Sequence, residues 1–450
     1  MAVLEHLHIF AQTYFAILLL VLLVGRLLVN KYGRGLNSIP GPFLAGFTNL
    51  WRVFDTAFSN PTNNLILLHR KLSSNFVRIG PRVVSVADPS LIQTIYGVGT
   101  KFRKTEFYSI IDVWHEGKLT QSLFECRDED YHARIRRPIA NAYSMSTLVE
   151  FEPAVDSTVD LLSSRLDRFV ASGEPCPLNQ WLRFYSFDVL GEILFSKKMG
   201  FLEAGSDLES VMLGIRLFTK YWQAVGQIPM LDQFLLHNPL MKRYGPDVPM
   251  MSFTLSRLKD RLAWKASGHP TQHDFLERCI EAQAKFPDVV TDRLIVLYLF
   301  DNIGGGADTA AVTLTSIMYY LLKNPKSLQL VVSEIDNADK EGHLSDPVTW
   351  KEARELTYFQ ACVKEALRMH PPIGLMLERY VPKGGITMGG HFFPEGTIVG
   401  VNAWVTARNQ AIYGPDADTF RPERWLEASK DQLSAMERAN FAVCFLPAIK

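Results

Sequence analysis

Residues Ile9 to Val29 are almost entirely apolar, and the deepest stretch, Ala16–Val24, reads AILLLVLLV. A helix of about 20 residues spans a bilayer core of about 30 Å, so this run predicts a membrane-crossing helix. Its interruptions are mild: Gln12 and Thr13 near one end, Gly25 and Arg26 near the other. Arg26, Lys31 and Arg34 follow the deepest part, and Glu5 is the only formally charged side chain before it. The positive-inside bias then puts the rest of the chain on the cytosolic side. A cleaved signal peptide is the competing reading. It requires a basic leading region and a small-x-small cleavage site, and this segment has neither in convincing form. Residues 1–30 therefore read as an uncleaved single-pass anchor and residues 31–450 as the body.

Ile39-Pro40-Gly41-Pro42 comes next. Proline fixes φ and lacks an amide donor, so the helix cannot continue, and the segment reads as a hinge that sets the body's angle against the membrane. The body has a folded protein's composition, with 47% hydrophobic residues and 47 basic side chains balancing 47 acidic ones. Its core is large enough to hide a sizeable cofactor, and zero net charge argues against a polyanionic partner such as nucleic acid. Five cysteines without a C-x-x-C pair indicate neither a disulfide framework nor a zinc site, and fit a reducing compartment. Short β-type runs, Phe76–Ile79 and Arg82–Val86, flank Gly80-Pro81 as a hairpin signal. Asp88-Pro89 opens a helix through Leu91–Tyr96. The pattern from Phe124 to Met369 is mainly helical. Beyond Pro371-Pro372, glycines divide short runs such as Ile386-Thr387-Met388 and Thr397-Ile398-Val399, which read as strands. The fold class is mainly α with small β-sheets (α+β), the sheets drawn from both ends of the chain.

Three groups of residues stand out chemically. Gly304-Gly305-Gly306-Ala307-Asp308-Thr309 interrupts an otherwise apolar helical run. Each glycine inside a helix costs about 1 kcal/mol, so three need a compensating purpose, such as close approach of something large to the backbone. Asp308 and Thr309 would sit beside that object, where a carboxylic acid and a hydroxyl can hand on protons. The alternative is a loop between two shorter helices, with the glycines as a turn. Glu365 and Arg368 share a helical face. As an isolated solvated pair they would contribute about 0.3–0.5 kcal/mol. The apolar surface of Phe359–Met369 and a further arginine in Phe420–Trp425 point instead to a buried structural knot. His132 and Arg136 are one helical turn apart and could bind two carboxylates or a phosphate, or form a solvated basic patch.

The order of these features resembles the cytochrome P450 family in its microsomal fungal form: anchor, Pro-Gly-Pro, H-x-x-x-R, G-G-x-D-T, E-x-x-R and F-R-P-E-R. The strings Tyr131–Ser146 and Phe420–Leu426 look most like members similar to pisatin demethylase. The resemblance covers the chain from the hinge to about Arg438. It implies the P450 fold, haem b, and a monooxygenase that inserts one oxygen atom of O2 into a hydrophobic small organic molecule by hydroxylation or O-demethylation, in fungal secondary metabolism or detoxification. Electrons would come from NADPH through NADPH-cytochrome P450 reductase, at the endoplasmic reticulum membrane. Thr309 would contact the dioxygen and Asp308 would help deliver protons. His132, Arg136 and Arg379 would meet the haem propionates, and Glu365, Arg368 and Arg424 would form the supporting ion-pair cluster.

The chain departs from the pattern in two places. Ala310 stands where a second threonine is frequent. More seriously, the iron is held in this family by a cysteine thiolate in a loop of the form F-x-x-G-x-R-x-C-x-G, and the text after Arg438 contains no such loop. The last glycine is Gly414, and Cys444 stands in a plain apolar setting. The expectation from sequence is therefore a P450 body altered or cut short after about 438, through a shifted frame, an unspliced intron or an early stop. A catalytically inactive, P450-like membrane protein acting as a binding partner is the alternative. Thr94–Gln121 and Phe201–Pro239 read as pocket walls, whose Phe102, Phe107, Tyr108, Trp114, Phe218, Tyr221 and Trp222 suit an apolar or aromatic substrate or serve as ordinary core.

Overall fold

The computed structural model describes residues 2–115, 118–244, 249–268 and 273–441. The chain divides into two compact units, one made of Met1–Thr105 and Leu375–Val405, the other of Glu106–Gly374 and Thr406–Lys450.

The first unit begins with helix α1 (Ala2–Tyr32). Within it, Gln12–Tyr32 is long and apolar enough to cross a membrane, with a mean hydropathy of 2.1 and its side chains exposed. A five-stranded sheet follows, built from β1 (Phe76–Arg78), β2 (Val83–Val86), β3 (Arg103–Lys104), β4 (Arg379–Tyr380) and, after the hairpin strands β5 (Ile386–Met388) and β6 (His391–Phe393), β7 (Ile398–Val401). Its strand order is β1-β2-β7-β4-β3. The β1–β2 pair is the hairpin expected around Gly80-Pro81. β2 runs parallel to β7, with Val84 opposite Val399, so the two ends of the chain meet at the centre of the sheet. Val77 and Val83 pack there against Leu65, Ile66, Met376 and Val405.

Arg78 fixes the end of α1 to this sheet. Its side chain is buried and has no carboxylate partner among the hydrogen bonds it makes. Its guanidinium donates to Asn30 O (2.7 Å) and Lys31 O (2.9 Å), in the last turn of α1, and to Pro81 O (2.8 Å). The cation thus sits at the negative end of the helix dipole and satisfies carbonyls that the helix leaves open. The Pro-Gly-Pro segment is pinned to the same residue: Arg78 N donates to Pro40 O (2.7 Å), and a Cβ on Gly41 would collide with the carbonyl oxygen of Arg78. What reads as a hinge in the sequence is therefore a hydrogen-bonded brace.

Among the described residues the second unit is helical apart from a short hairpin, Val113–His115 with Lys118–Thr120. Five of its helices matter for function: α2 (Glu129–Arg136), α3 (Leu178–Phe195), α4 (Asp292–Asn302), α5 (Asp308–Lys323) and α6 (Thr357–Met369). α4 starts where Thr291 caps Leu294 N, and its Leu294, Ile295, Tyr298 and Leu299 enter the main core with Phe184 and Phe187 of α3. α6 has no cap of its own. The Glu334 carboxylate accepts from Tyr358 N and Phe359 N, each at 2.8 Å, and closes its open amides.

Glu365 and Arg368 on α6 are fully buried. Glu365 Oε1 accepts from Arg368 Nη2 (2.7 Å), Arg424 Nε (2.9 Å) and Arg421 N (2.9 Å). Its Oε2 accepts from Arg368 Nε and from the Trp425 indole, both at 2.9 Å. Arg368 also donates to Ala407 O (2.7 Å) and Ala417 O (2.6 Å). Burial pushes the Glu365 carboxyl up, but hydrogen bonding and charge from Arg368, with Arg424 beside it, more than offset this and hold it below its ordinary value. The knot expected from sequence is present, and the solvated-pair alternative fails because no member reaches water.

Two outcomes follow. Glu365→Ala strands two buried guanidinium groups, so unfolding should become easier by about 3–5 kcal/mol. Because the folded carboxyl titrates below its unfolded value, its contribution is present above the ordinary carboxylate range and is lost as pH falls through the folded pKa. Glu365→Gln should therefore flatten the acid limb of the stability curve, and an unchanged limb would contradict the assignment. Arg78→Ala should raise hydrogen–deuterium exchange at residues 30–34 and 78–81 of the lipid-embedded protein, with little change in α6; uniform exchange would show that the brace is not formed.

Candidate functional site

α4 and α5 form one continuous helix. Ile303–Ala307, which holds the three glycines, is a π-helical turn between them rather than a loop. The extra residue in a π turn displaces the backbone and weakens the helical ladder locally, which happens most often at functional sites. Ile303, Ala307 and Ala311 face the core, whereas Gly305, Gly306 and Ala310 are exposed. A Cβ on Gly305 would meet nothing within 4 Å. One side of a core helix thus presents a stretch of bare backbone and small side chains to open space. The expectation of close approach to the backbone has its geometry here.

Thr309 completes the turn. Its hydroxyl donates to Gly305 O (2.7 Å) and lies 3.2 Å from Gly306 O, so it satisfies carbonyls that the π turn frees. Asp308 points toward α3, where its Oδ1 lies 2.7 Å from Arg183 Nε in a half-exposed ion pair. Asp308 and Thr309 are therefore adjacent on the chain but differently engaged, one to a cation and one to the backbone. Nothing in the sequence signals Arg183, because no spacing rule links it to Asp308.

His132 and Arg136 lie one turn apart on α2, both half-buried. α2 starts at Asp128, whose carboxylate accepts from Tyr131 N (2.9 Å), and its acidic first turn and basic last turn complement the helix dipole. The Tyr298 hydroxyl on α4 donates to Ile135 O between them, which fixes the basic pair relative to the glycine helix. A fully solvated basic patch does not describe this pair. Arg379 belongs to the other unit, on β4. Its Nη1 donates to Glu378 O (2.9 Å), its guanidinium lies 5.1 Å from the Tyr96 ring centroid, and the Tyr96 hydroxyl donates to Leu377 O (2.7 Å).

The exposed glycine face fits one side of a large flat apolar group, and the basic pair on α2 suits that group's carboxylates. Among the described cysteines, Cys126 Sγ donates to Asp128 O (3.2 Å) as a thiol. Burial pushes the Cys362 thiol up to about 12 and also raises those of Cys279 and Cys176, which is the opposite of thiolate character. Cys444 lies outside the described residues, as does everything after Phe441.

Of the aromatic residues expected to wall a pocket, Phe107, Tyr108 and Trp222 do converge. Phe107 and Trp222 have centroids 5.0 Å apart. Phe124, which sequence reasoning did not single out, joins them at 5.7 Å from Tyr108 and 5.9 Å from Trp222. Tyr221 instead donates to Asp232 (2.5 Å), and Phe102 is buried in the sheet unit. A separate hollow of about 500 Å³ lies at the far end of α5, lined by Lys323, Lys326, Arg421, Glu423 and Glu427, and is a charged surface feature.

Residues 40–442 match the family described as Cytochrome P450. Cytochrome P450 monooxygenase cicH of Emericella nidulans is 42% identical over 402 residues, 88% of this chain and 80% of the relative. A cytochrome P450 monooxygenase of Aspergillus terreus is 40% identical over 421 residues, 92% of this chain and 85% of the relative. These relatives bear out the family and its fungal form, but not the narrower likeness to pisatin demethylase. Proteins of this kind carry haem iron and take electrons from a redox partner. With the match covering nearly the whole body, and with the π turn, the acid–hydroxyl pair and the buried Glu365 knot in place, the chain belongs to the cytochrome P450 family.

Proposed function

We propose that the chain is a haem-thiolate monooxygenase acting on hydrophobic small organic molecules, in hydroxylation or O-demethylation. The observation that carries this reading is the π turn, whose bare face is bordered by Asp308 and Thr309. Haem b, when bound, supplies the iron chemistry that activates dioxygen, so that one oxygen atom enters the substrate and the other leaves as water.

The residues of the chain then have distinct tasks. Gly305 admits the cofactor's face to the helix. His132 and Arg136 donate to its propionates, where charge-assisted hydrogen bonds are strongest, and the family resemblance assigns Arg379 a propionate contact as well. The Thr309 hydroxyl is held by Gly305 O and can both accept and donate a proton at the open face. Asp308 takes protons from the solvent side: its carboxylate is half-exposed beside Arg183, and rotation away from that cation carries a proton inward.

The electron source on this reading is NADPH, through a membrane-bound NADPH-cytochrome P450 reductase. On the same reading α1 is a single-pass anchor in the endoplasmic reticulum membrane, and the basic residues Arg26, Lys31 and Arg34 that follow its apolar part support a body on the cytosolic side. Membrane lipid also delivers apolar substrates to such a site.

The test is the reduced protein under CO. A haem-thiolate Soret band at the family's position is the expected result. Its absence from protein that has incorporated haem overturns the thiolate reading and favours the inactive, binding-only alternative. On protein that shows the band, Thr309→Ala should leave substrate affinity within about twofold and divert about tenfold more electrons to peroxide, since one general acid–base group is worth about 10²–10⁴. Unchanged coupling would remove Thr309 from the proton path.

A further inference from the structure

Beside the glycine helix lies a group of polar atoms that the reading above does not use. Glu125 is 1% exposed and Ser122 is fully buried. Ser122 N donates to Glu125 Oε1, which holds the carboxyl against the turn. Glu125 Oε2 and Ser122 Oγ have no hydrogen-bond partner among the described residues. A buried polar atom left unmatched costs about 1–3 kcal/mol, so two of them three residues apart indicate a ligand group that completes both.

The surroundings give the sign of that group. Asp301 on α4 accepts from Phe124 N (3.4 Å), which places a second carboxylate against the residue next to Glu125. Asp301 stands four residues before Gly305, on roughly the same side of the helix. A third acid, Asp112, takes both arms of Arg127 at 2.9 and 2.8 Å, and Glu106 lies 3.3 Å from the same guanidinium. Arg127 pairs its charge with Asp112 and Glu106 and also donates to the backbone Glu125 O (3.3 Å). The other titratable groups facing Glu125 are Cys126 and Tyr131. Burial, with Asp301 and then Asp112 adding to it, raises the Glu125 carboxyl well above its ordinary value. Negative potential is in surplus here, and a cation would relieve it.

The walls suit the rest of such a ligand. Phe124 sits between Tyr108 and Trp222, and Trp222 is anchored by its indole donating to Phe107 O (3.0 Å). Aromatic faces attract ammonium groups and accept apolar arms.

We infer that Ser122, Glu125 and Asp301 form a receptor for the cationic nitrogen of an amine substrate, whose apolar part lies along the Phe107–Tyr108–Phe124–Trp222 rings. The inference rests on the monooxygenase reading, since it names the substrate class for that site. The N–H group of the ammonium donates to Glu125 Oε2, the oxygen left without a partner among the described residues.

The test uses the full-length, lipid-embedded protein and a matched ligand pair, phenylpropyl dimethylamine and its neutral isostere with an isopropyl group in place of the dimethylamino group. Calorimetry at pH 7 should show the amine binding about tenfold tighter or more than the isostere. Glu125→Gln should remove most of the preference, Asp301→Asn should reduce the preference, and both should leave isostere affinity within about twofold. Equal affinity for the two ligands, or a preference untouched in both variants, overturns the inference. So does amine binding that shifts the Soret band as an iron ligand does and is insensitive to Glu125→Gln. A normal thiolate-haem CO band without amine preference rejects this inference alone; amine preference without that band rejects the monooxygenase reading alone.

Discussion

The helical unit depends on one buried carboxylate. Glu365 accepts five hydrogen bonds, from Arg368, Arg424, Arg421 N and the Trp425 indole, and through them joins α6 to the segment around residues 407–425. Removing charges from water is costly, and the cost is recovered here only because every oxygen and most guanidinium protons find partners. Arg368 then reaches the carbonyls of Ala407, Ala417 and Thr419, which lie in irregular chain with no ladder to satisfy them. A knot of this kind holds loops that secondary structure cannot hold, and it is the framework on which a cofactor-binding body can be built around a helix that is itself defective.

That defect is where chemistry becomes possible. A regular α-helix would have closed its own carbonyls and covered its face with side chains. The π turn at Ile303–Ala307 does neither: Thr309 must satisfy Gly305 O, and Gly305 leaves the face bare. α3 supplies the counter-cation for Asp308, and α4 is tied to α2 by Tyr298, so the basic pair and the open face are set by the same helix. In the sheet unit an equally buried cation, Arg78, does for the end of α1 what Glu365 does for α6.

Local chemistry was legible in the sequence wherever it acts over a few residues. The hairpin at Gly80-Pro81, the helical start at Asp88-Pro89, and the i, i+3 pair of Glu365 and Arg368 all follow from local sequence. The glycine run announced a special place but not its form, since three glycines read equally well as a turn; only packing of Ile303 and Ala307 into the core decides for a continuous helix. Contacts between distant segments left no trace. Arg183 opposite Asp308, Glu334 capping α6, Arg78 under the end of α1, and the meeting of Glu125 with Asp301 each depend on tertiary folding, which no single-sequence period encodes. Glu125 in particular carries no mark of its burial in the sequence.

The central claim is that the bare backbone at Gly305 is the cofactor's face. Gly305→Leu tests it most directly, because the structure leaves space for the side chain and the fold should not suffer. Purified Gly305→Leu protein should match the parent in helical content and melting temperature while its haem-to-protein ratio falls about tenfold or more. A variant that folds normally and retains the parent's haem ratio would contradict the assignment of that face.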